Sequence, residues 1–219
     1  MCVFLVFYVI FGYNRCYRII GFKRGRVESG CKLMMYDEKR TGGAGMVEKE
    51  EFYLNSTNGV NKLHVILWHP LEEIRAIVQI SHGMCEYVDR YDRLATFLAQ
   101  HGMMVIGNDH LGHGETAKGE EELGYFPKAK GSETVVDDLY KVTKSIRARY
   151  PRIPYFLLGH SMGSFMARRY LMTYGSQLDG AILMGTGSQP PALLSAAKTT
   201  ANSLSVVRGE HHRSQLMMK

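Results

Sequence analysis

Apolar runs and helical patterns alternate along the chain from residue 46 onward, which is the order expected of an α/β protein. The middle runs are continuously apolar and suit strands of a sheet that is covered on both faces. The predicted strands are Glu51–Leu54, Leu63–Trp68, Ala76–Ile80, Met103–Gly107, Tyr155–Leu158 and Gly180–Met184. We therefore predict an α/β fold, a mostly parallel sheet with helices on both faces.

Two segments between these strands carry apolar side chains at helical spacing. The first face holds Tyr91, Leu94, Ala95 and Leu98, and the second holds Val135, Leu139, Val142 and Ile146. We expect both helices to pack on the sheet. Thr134 and Asp137 fit a capping box at the start of the second helix, and Pro151 and Pro154 end it before the next strand.

The charge is unevenly distributed, which divides the chain into three parts. Residues 1–45 hold 8 of the 27 Lys and Arg residues and 3 of the 21 Asp and Glu residues, so the remainder is almost neutral. A nucleic-acid partner is therefore not indicated. We predict an apolar and basic extension that is poorly ordered over residues 1–45, a core over residues 46–187, and the beginning of a helical cap over residues 188–219.

The first 13 residues form an apolar run that is too short to span a bilayer and lacks the features of a signal peptide. Three interpretations stay open: a membrane-touching anchor, a poorly ordered tail, or an extension upstream of a true start at Met46. The cysteines match no zinc or haem spacing, so we expect free thiols in a reducing compartment. We predict a cytoplasmic protein; the alternative is weak membrane-surface association through residues 1–22.

The sequence G-H-S-M-G places Ser161 between Gly159 and Gly163, directly after a predicted strand and before a helical stretch. In that context the pattern predicts a nucleophile elbow. The turn is so tight that side chains at the two glycine positions would collide with neighbouring backbone. Ser161 would be held in a strained conformation with its hydroxyl exposed.

A second element, V-Q-I-S-H-G-M, places His82, Gly83 and Met84 at the end of the predicted strand Ala76–Ile80. An oxyanion hole would be built there, from the backbone amide of Met84 and from that of Met162, the residue after the nucleophile. Gly83 would let the chain turn so that the amide points at the developing charge. For His82 we favour a buried loop histidine bonded to backbone over direct chemistry.

Three motifs together, H-G-M-C-E-Y, N-D-H-L-G-H-G-E-T and G-H-S-M-G-S, resemble the α/β-hydrolase superfamily. More narrowly, they are similar to its monoacylglycerol lipase, lysophospholipase and serine-aminopeptidase-like branch, from about residue 50 to about residue 187. The resemblance implies a Ser–His–Asp hydrolase in which Ser161 attacks an ester carbonyl. It also implies that Asp109 and His113 are structural residues of a loop beside the site.

The chain departs from this family where the other two triad members are expected. Such hydrolases run in the order Ser, then Asp or Glu, then His, with a cap inserted before the last two. Asp179 lies at the wrong end of its strand, and His211 and His212 lie in a polar terminal run. We therefore expect a truncated chain with an incomplete triad. The strand Gly180–Met184 would be left as an exposed edge, which predicts an unstable or insoluble chain.

The resulting hypothesis is a serine hydrolase of carboxylic esters, of monoacylglycerol or lysophospholipid type, whose partner is a small lipid ester. One alternative is another enzyme, a proline-iminopeptidase-like hydrolase. It is less well supported, because such enzymes carry a Gly-Gly-Pro-Gly-like loop at the position where this chain has H-G-M-C-E. The other alternative is not an enzyme but a non-catalytic binding module or pseudo-enzyme. The sequence predicts no cofactor and no metal, and leaves substrate length, headgroup and oligomeric state open.

Overall fold

The computed structural model describes residues 7–11, 47–127 and 130–209. Seven strands form a single sheet in the order β1-β7-β6-β4-β5-β3-β2. They are β1 Phe7–Phe11, β2 Val47–Asn55, β3 Lys62–Pro70, β4 Ala76–Ser81, β5 Met103–Asn108, β6 Tyr155–His160 and β7 Gly180–Met184. Each of the six predicted strands lies within one of these elements, because the local apolar pattern marks the buried centre of a strand better than its ends.

The centre of the sheet is parallel and its margins are antiparallel. β4 pairs in parallel with β5 and with β6, and β6 pairs in parallel with β7. β3 pairs antiparallel with both β2 and β5, and β1 pairs antiparallel with β7. Five of the seven strands consequently point the same way, which confirms the predicted mixed, mostly parallel sheet.

The described part of the chain also has four helices and several short 3₁₀ turns, and the last helix follows β7. The helices are α1 Asp92–Gln100, α2 Gly131–Arg149, α3 Met162–Tyr174 and α4 Pro191–Arg208. Apolar side chains of α2 and α3 fill one core cluster with one face of the sheet, and Ala95 and Ala99 of α1 belong to the cluster on the other face. The prediction of helices on both faces is therefore confirmed.

A buried polar network ties the centre of the sheet to α2 and α3. The side-chain oxygen of Gln79 on β4 accepts hydrogen bonds from Tyr155 (2.6 Å) and Thr143 (2.8 Å). Thr143 in turn accepts one from Tyr170 of α3 at 2.9 Å. Because every member has a partner, the network can be buried without leaving an unsatisfied polar atom.

Two local predictions are wrong. Helix α2 begins at Gly131, and Thr134 lies inside it with its hydroxyl donating to the Lys130 carbonyl at 2.9 Å, so Thr134 is no N-cap. The edge of β7 is not left open, because Phe7–Phe11 pairs along it with Phe7 opposite Met184 and Phe11 opposite Gly180. An apolar segment with strand propensity can pair with an unpartnered edge wherever the chain can reach it.

The other calls on the N-terminal part, residues 1–6 and 12–46, lie outside the described residues. α4 lies in the part of the chain for which a helical cap was expected, and none of its residues is buried. None of the helices described here has the length and apolar character needed to cross a membrane.

Candidate active site

Ser161 lies in the turn between β6 and α3, in a backbone conformation that side-chain-bearing residues rarely adopt. Its φ is 51° and its ψ is −118°. Its amide donates to the Met184 carbonyl at 2.9 Å, which ties the turn to the end of β7. Such a conformation persists only where the surroundings over-determine it, as they do at many functional sites.

Two glycines allow this turn to form. A Cβ at Gly159 would lie 2.5 Å from the Gly163 carbonyl oxygen and 2.8 Å from the Ala167 Cβ. A Cβ at Gly163 would lie 1.9 Å from the carbonyl oxygen of Ser81 at the end of β4. Only hydrogen fits at either position, so helix α3 begins in direct contact with the backbone of β4.

The loop after β4 lies beside the serine. Ser81 pairs with Gly159 in the register of β4 and β6, so the two strands end at the same level. A Cβ at Gly83 would lie 3.3 Å from the Ser161 Cβ. The structure thus brings the Gly83 loop and Ser161 together, and the neighbouring Met84 side chain is 66% exposed.

The surroundings of Ser161 favour negative charge. Met162 is the first residue of α3, and the first amides of a helix have no acceptor within the helix. They carry the positive end of the helix dipole. Within the described part of the chain the Ser161 hydroxyl makes no hydrogen bond, so no base is positioned to take its proton.

Three buried histidines pack under the loop. The ring centroids of His82 and His110 are 4.1 Å apart, and those of His82 and His113 are 5.2 Å apart. His82 donates from Nδ1 to the Gly83 carbonyl at 2.8 Å and accepts at Nε2 from the His110 amide at 3.0 Å. One ring nitrogen of His82 thus donates and the other accepts, which is the pattern of a neutral imidazole. Such bonds to the backbone suit a structural role.

Burial keeps His82 and His110 neutral. It lowers the pKa of His82 to about 4, and the nearby His113 adds to the effect. Burial also lowers the pKa of His110 well below the usual value, with His82 and His113 as further causes. A charge on either of these two rings would be desolvated, which explains why both pKa values are lowered.

Asp109 is a structural residue of the loop after β5. It is buried, and it accepts hydrogen bonds from the amides of Val88 (2.7 Å) and Glu115 (2.9 Å) and pairs with the His64 ring at 2.9 Å. A Cβ at Gly114 would lie 2.1 Å from its carboxylate. The carboxylate is therefore fully engaged in holding three segments together.

The remaining acid and base candidates lie away from Ser161 or outside the described residues. Asp179 accepts from the Tyr155 amide and from Arg147, each at 2.8 Å, at the starting ends of β6 and β7. His211 and His212 lie outside the described residues. Among those that are described, no group of three or more His, Cys, Asp or Glu side chains is arranged to hold a metal ion.

The sequence analysis missed a polar group beside the serine that is built around Glu86. Its Oε2 accepts hydrogen bonds from the Gly83 amide at 2.9 Å and from the Tyr91 hydroxyl at 2.7 Å, and it lies 3.3 Å from Nδ1 of His160. Glu86 belongs to the H-G-M-C-E-Y motif, and this motif is the sequence feature that could have pointed to Glu86. Its partners come from other elements, and local sequence does not show that they meet.

Comparison with known proteins gives one family. Residues 72–216 match the family described as serine aminopeptidase, S33. The matched range includes the Gly83 loop, the turn at Ser161 and α4.

Individual relatives are similar over part of their length. The chain is 35% identical to a rat monoglyceride lipase over 44% of this chain and 30% of that protein. It is 28% identical to a monoacylglycerol lipase of Mycolicibacterium smegmatis over 66% of this chain and 52% of the relative. A solved structure of a thermostable carboxyl esterase from Bacillus coagulans, in complex with glycerol, is 32% identical with a TM-score of 0.64, over 74% of this chain and 55% of that one. The chain therefore spans from under a third to about half of these relatives.

Proposed function

This chain belongs to the α/β-hydrolase family described as serine aminopeptidase, S33, and from that premise we propose that it is a serine hydrolase of carboxylic esters. One observation carries the proposal: Ser161 is held at a φ of 51° between a buried strand and a helix, beside the Gly83 loop. The same arrangement would expose its hydroxyl to a substrate and present backbone amides to the reacting carbonyl.

In the proposed reaction the Ser161 Oγ attacks the ester carbonyl carbon and its proton passes to a general base. The carbonyl oxygen becomes negatively charged, and the amides of Met84 and Met162 donate to it. Collapse of this intermediate expels the alcohol, which takes the proton, and leaves an acyl group on Ser161 that water then hydrolyses. Loss of one such amide donor costs about 3–4 kcal/mol of transition-state stabilisation. His82, Gly83, Gly159 and Gly163 have geometric roles in this scheme.

The general base is the component that the described residues do not provide. An unassisted serine hydroxyl is a weak nucleophile at neutral pH, so turnover requires a base from elsewhere. We propose that the family order of Ser, then Asp or Glu, then His applies here as well. Ser161 would then have limited reactivity until a histidine is placed against it.

The proposed substrates are monoacylglycerols or lysophospholipids, which are small lipid esters. Two relatives named above are monoglyceride and monoacylglycerol lipases, and the esterase structure holds glycerol. The first turn of α4 adds exposed apolar side chains, with Leu193 56% and Leu194 45% exposed. An apolar surface of this kind suits an acyl chain.

Two alternatives have some support. The family description favours a peptidase such as a proline-iminopeptidase-like enzyme. A non-catalytic binding module is the alternative that the expected incomplete triad would allow. The three hypotheses differ in whether Ser161 reacts and with which substrate.

A fluorophosphonate probe and a substrate panel distinguish these functions. The test uses a version of the protein that supplies the general base. In that version we expect covalent labelling of Ser161, located by peptide mass spectrometry, and no labelling of Ser161→Ala. A monoacylglycerol should be cleaved in preference to a prolyl anilide. Cleavage of the anilide alone would favour the peptidase, and an unlabelled but folded protein that carries the base would favour the binding module.

A further inference from the structure

Three hydrogen-bond donors from different parts of the chain converge on one oxygen of Glu86. The Gly83 amide belongs to the loop after β4, the Tyr91 hydroxyl to the 3₁₀ turn Val88–Tyr91 before α1, and the His160 ring to the last residue of β6. The described structure gives Glu86 Oε2 no other role. A single carboxylate oxygen thus links the candidate oxyanion loop to the strand that presents Ser161.

The protons of this group can be assigned in one consistent way. Tyr91 has one hydroxyl proton, and its 2.7 Å contact with Glu86 uses it. The Tyr91 oxygen can then only accept from His160, whose Nδ1 lies 3.0 Å away. Nδ1 of His160 must therefore carry a proton, which it shares between Tyr91 and Glu86. Every donor is satisfied only while Glu86 is an acceptor.

Charge strengthens the same arrangement. Glu86 is partly buried, and burial opposes its ionisation, but hydrogen bonds from Tyr91, Gly83 and His160 outweigh this and lower its pKa. Burial, followed by the bond to Glu86, raises the pKa of Tyr91 above its usual value. At neutral pH Glu86 is thus a carboxylate, and hydrogen bonds to a charged acceptor are about twice as strong as neutral ones.

The position of Gly83 connects this group to the chemistry. A Cβ at Gly83 would lie 2.9 Å from Glu86 Oε2 and 3.3 Å from the Ser161 Cβ, so the loop lies between the carboxylate and the serine. The next amide along is that of Met84. Releasing the Gly83 amide from Glu86 would free the Gly83 backbone, whose φ and ψ set the direction of the Met84 amide.

We propose that Glu86 is a positioning residue that holds the Gly83 loop in the orientation needed for the Met84 amide to face the carbonyl oxygen of a substrate that Ser161 attacks. The effect of Glu86 on the reaction rests on the function proposed for Ser161. The effect of Glu86 on the geometry of the Gly83 loop does not. Glu86 would touch no reacting atom, and it would act through the backbone of the loop and through the ring of His160.

Two substitutions at Glu86 test this role by separating its charge from its hydrogen-bonding oxygen. Glu86→Gln keeps an acceptor oxygen, so we expect a roughly ten-fold slower fluorophosphonate labelling of Ser161. Glu86→Leu removes the acceptor and should slow labelling by about a hundred-fold or more, the usual effect of losing an oxyanion donor. Glu72→Gln and Glu72→Leu are matched controls, because Glu72 is exposed and precedes β4. We expect wild-type labelling rates in both.

Amide hydrogen exchange at Gly83 provides a readout that does not depend on catalysis. The Gly83 amide should exchange faster in Glu86→Leu than in the wild-type chain, while exchange in the core of β4 stays unchanged. If Glu86→Gln is labelled faster than Glu86→Leu while the melting temperature stays unchanged, Glu86 positions the loop and does not merely stabilise the fold. If Glu86→Leu fails to fold, the graded comparison is made with Glu86→Gln and Tyr91→Phe.

The outcomes of the two proposals can be told apart. Wild-type labelling rates in both Glu86 variants, or unchanged Gly83 exchange, would overturn the positioning role while leaving Ser161 as the nucleophile. All labelling rates are compared in a version of the protein that supplies the general base. If that version with the wild-type Glu86 is not labelled, the function proposed for Ser161 fails. Gly83 exchange then still decides whether Glu86 holds the loop.

Discussion

Ser161 has its unusual conformation because the residues around it leave no room for another. A non-glycine residue at positive φ is disfavoured by about 1–2 kcal/mol, and here the turn meets β4, β6 and β7 at once. Cys85, with a φ of 58°, is a second non-glycine residue of this kind in the neighbouring loop. The strain therefore lies on both sides of the candidate site.

Gly163 allows a test of this packing. We expect Gly163→Ala to lower the free energy of unfolding by about 1–3 kcal/mol, because its Cβ would overlap the Ser81 carbonyl oxygen and push α3 away from β4. Urea denaturation at pH 7 measures the change. Gly187→Ala is the control, since a Cβ there meets nothing within 4 Å, and it should have little effect. Equal stability of the two variants would contradict the close approach.

At the scale of elements, the loops after β4 and β5 are joined by the histidine stack. His82, His110 and His113 are all buried, and they connect the Gly83 loop to the segment after β5. Protonation of His82 or His110 would place charge in a desolvated site. The stability of this packing is therefore linked to pH.

This linkage predicts a loss of stability in mild acid. The pKa of His82 falls from 6.5 in the unfolded chain to about 4 in the folded one, so the unfolded chain binds more protons between these pH values. The free energy of unfolding is therefore highest above pH 6.5 and falls as the pH falls below it. His82 contributes about 2 kcal/mol to this fall between pH 7 and pH 5.

Urea denaturation at pH 7, 6 and 5 measures the predicted acid effect. His82→Gln should show a smaller fall than the wild-type chain. His101→Gln is the control, because His101 is exposed, and it should show the wild-type fall. Stability that stays constant from pH 7 to pH 5 would contradict a neutral buried stack.

At the scale of the whole molecule, the sheet ends at β1 on one side and β2 on the other. β7 would present a row of unpaired backbone groups without β1, and such an edge can pair with other chains. The described pairing runs along all five residues of β1, from Phe7 to Phe11. The N-terminal strand thus determines whether the apolar edge of β7 is covered.

A chain that starts at Met46 tests this arrangement. We expect it to form oligomers or aggregates more readily than the 219-residue chain, measured by size-exclusion chromatography with light scattering. Val9→Pro combined with Ile10→Pro is a second variant. Neighbouring amides of a strand point to opposite sides, so one of the two prolines removes a donor to β7. A monomeric elution profile for both variants would contradict the covering role of β1.

The elements and the turn at Ser161 could be predicted because their signals are local. Continuous apolar runs predicted the strands, and the faces that include Leu94 and Val142 predicted helices, since side-chain periodicity follows from backbone geometry. The Gly-x-Ser-x-Gly spacing is local in the same sense. The Thr134 capping box failed because several residues near a helix start can act as a cap, and tertiary packing decides where the helix begins.

The sequence by itself determined which segments are strands and helices, and which serine stands in a turn that only glycine neighbours permit. Only the tertiary structure decided that β1 covers β7, that three histidines stack, and that Glu86, Tyr91 and His160 meet beside Ser161. The physical reason is distance along the chain. Periodicity and turn chemistry act within a few residues, whereas these contacts join residues that only the order of strands in the sheet brings together.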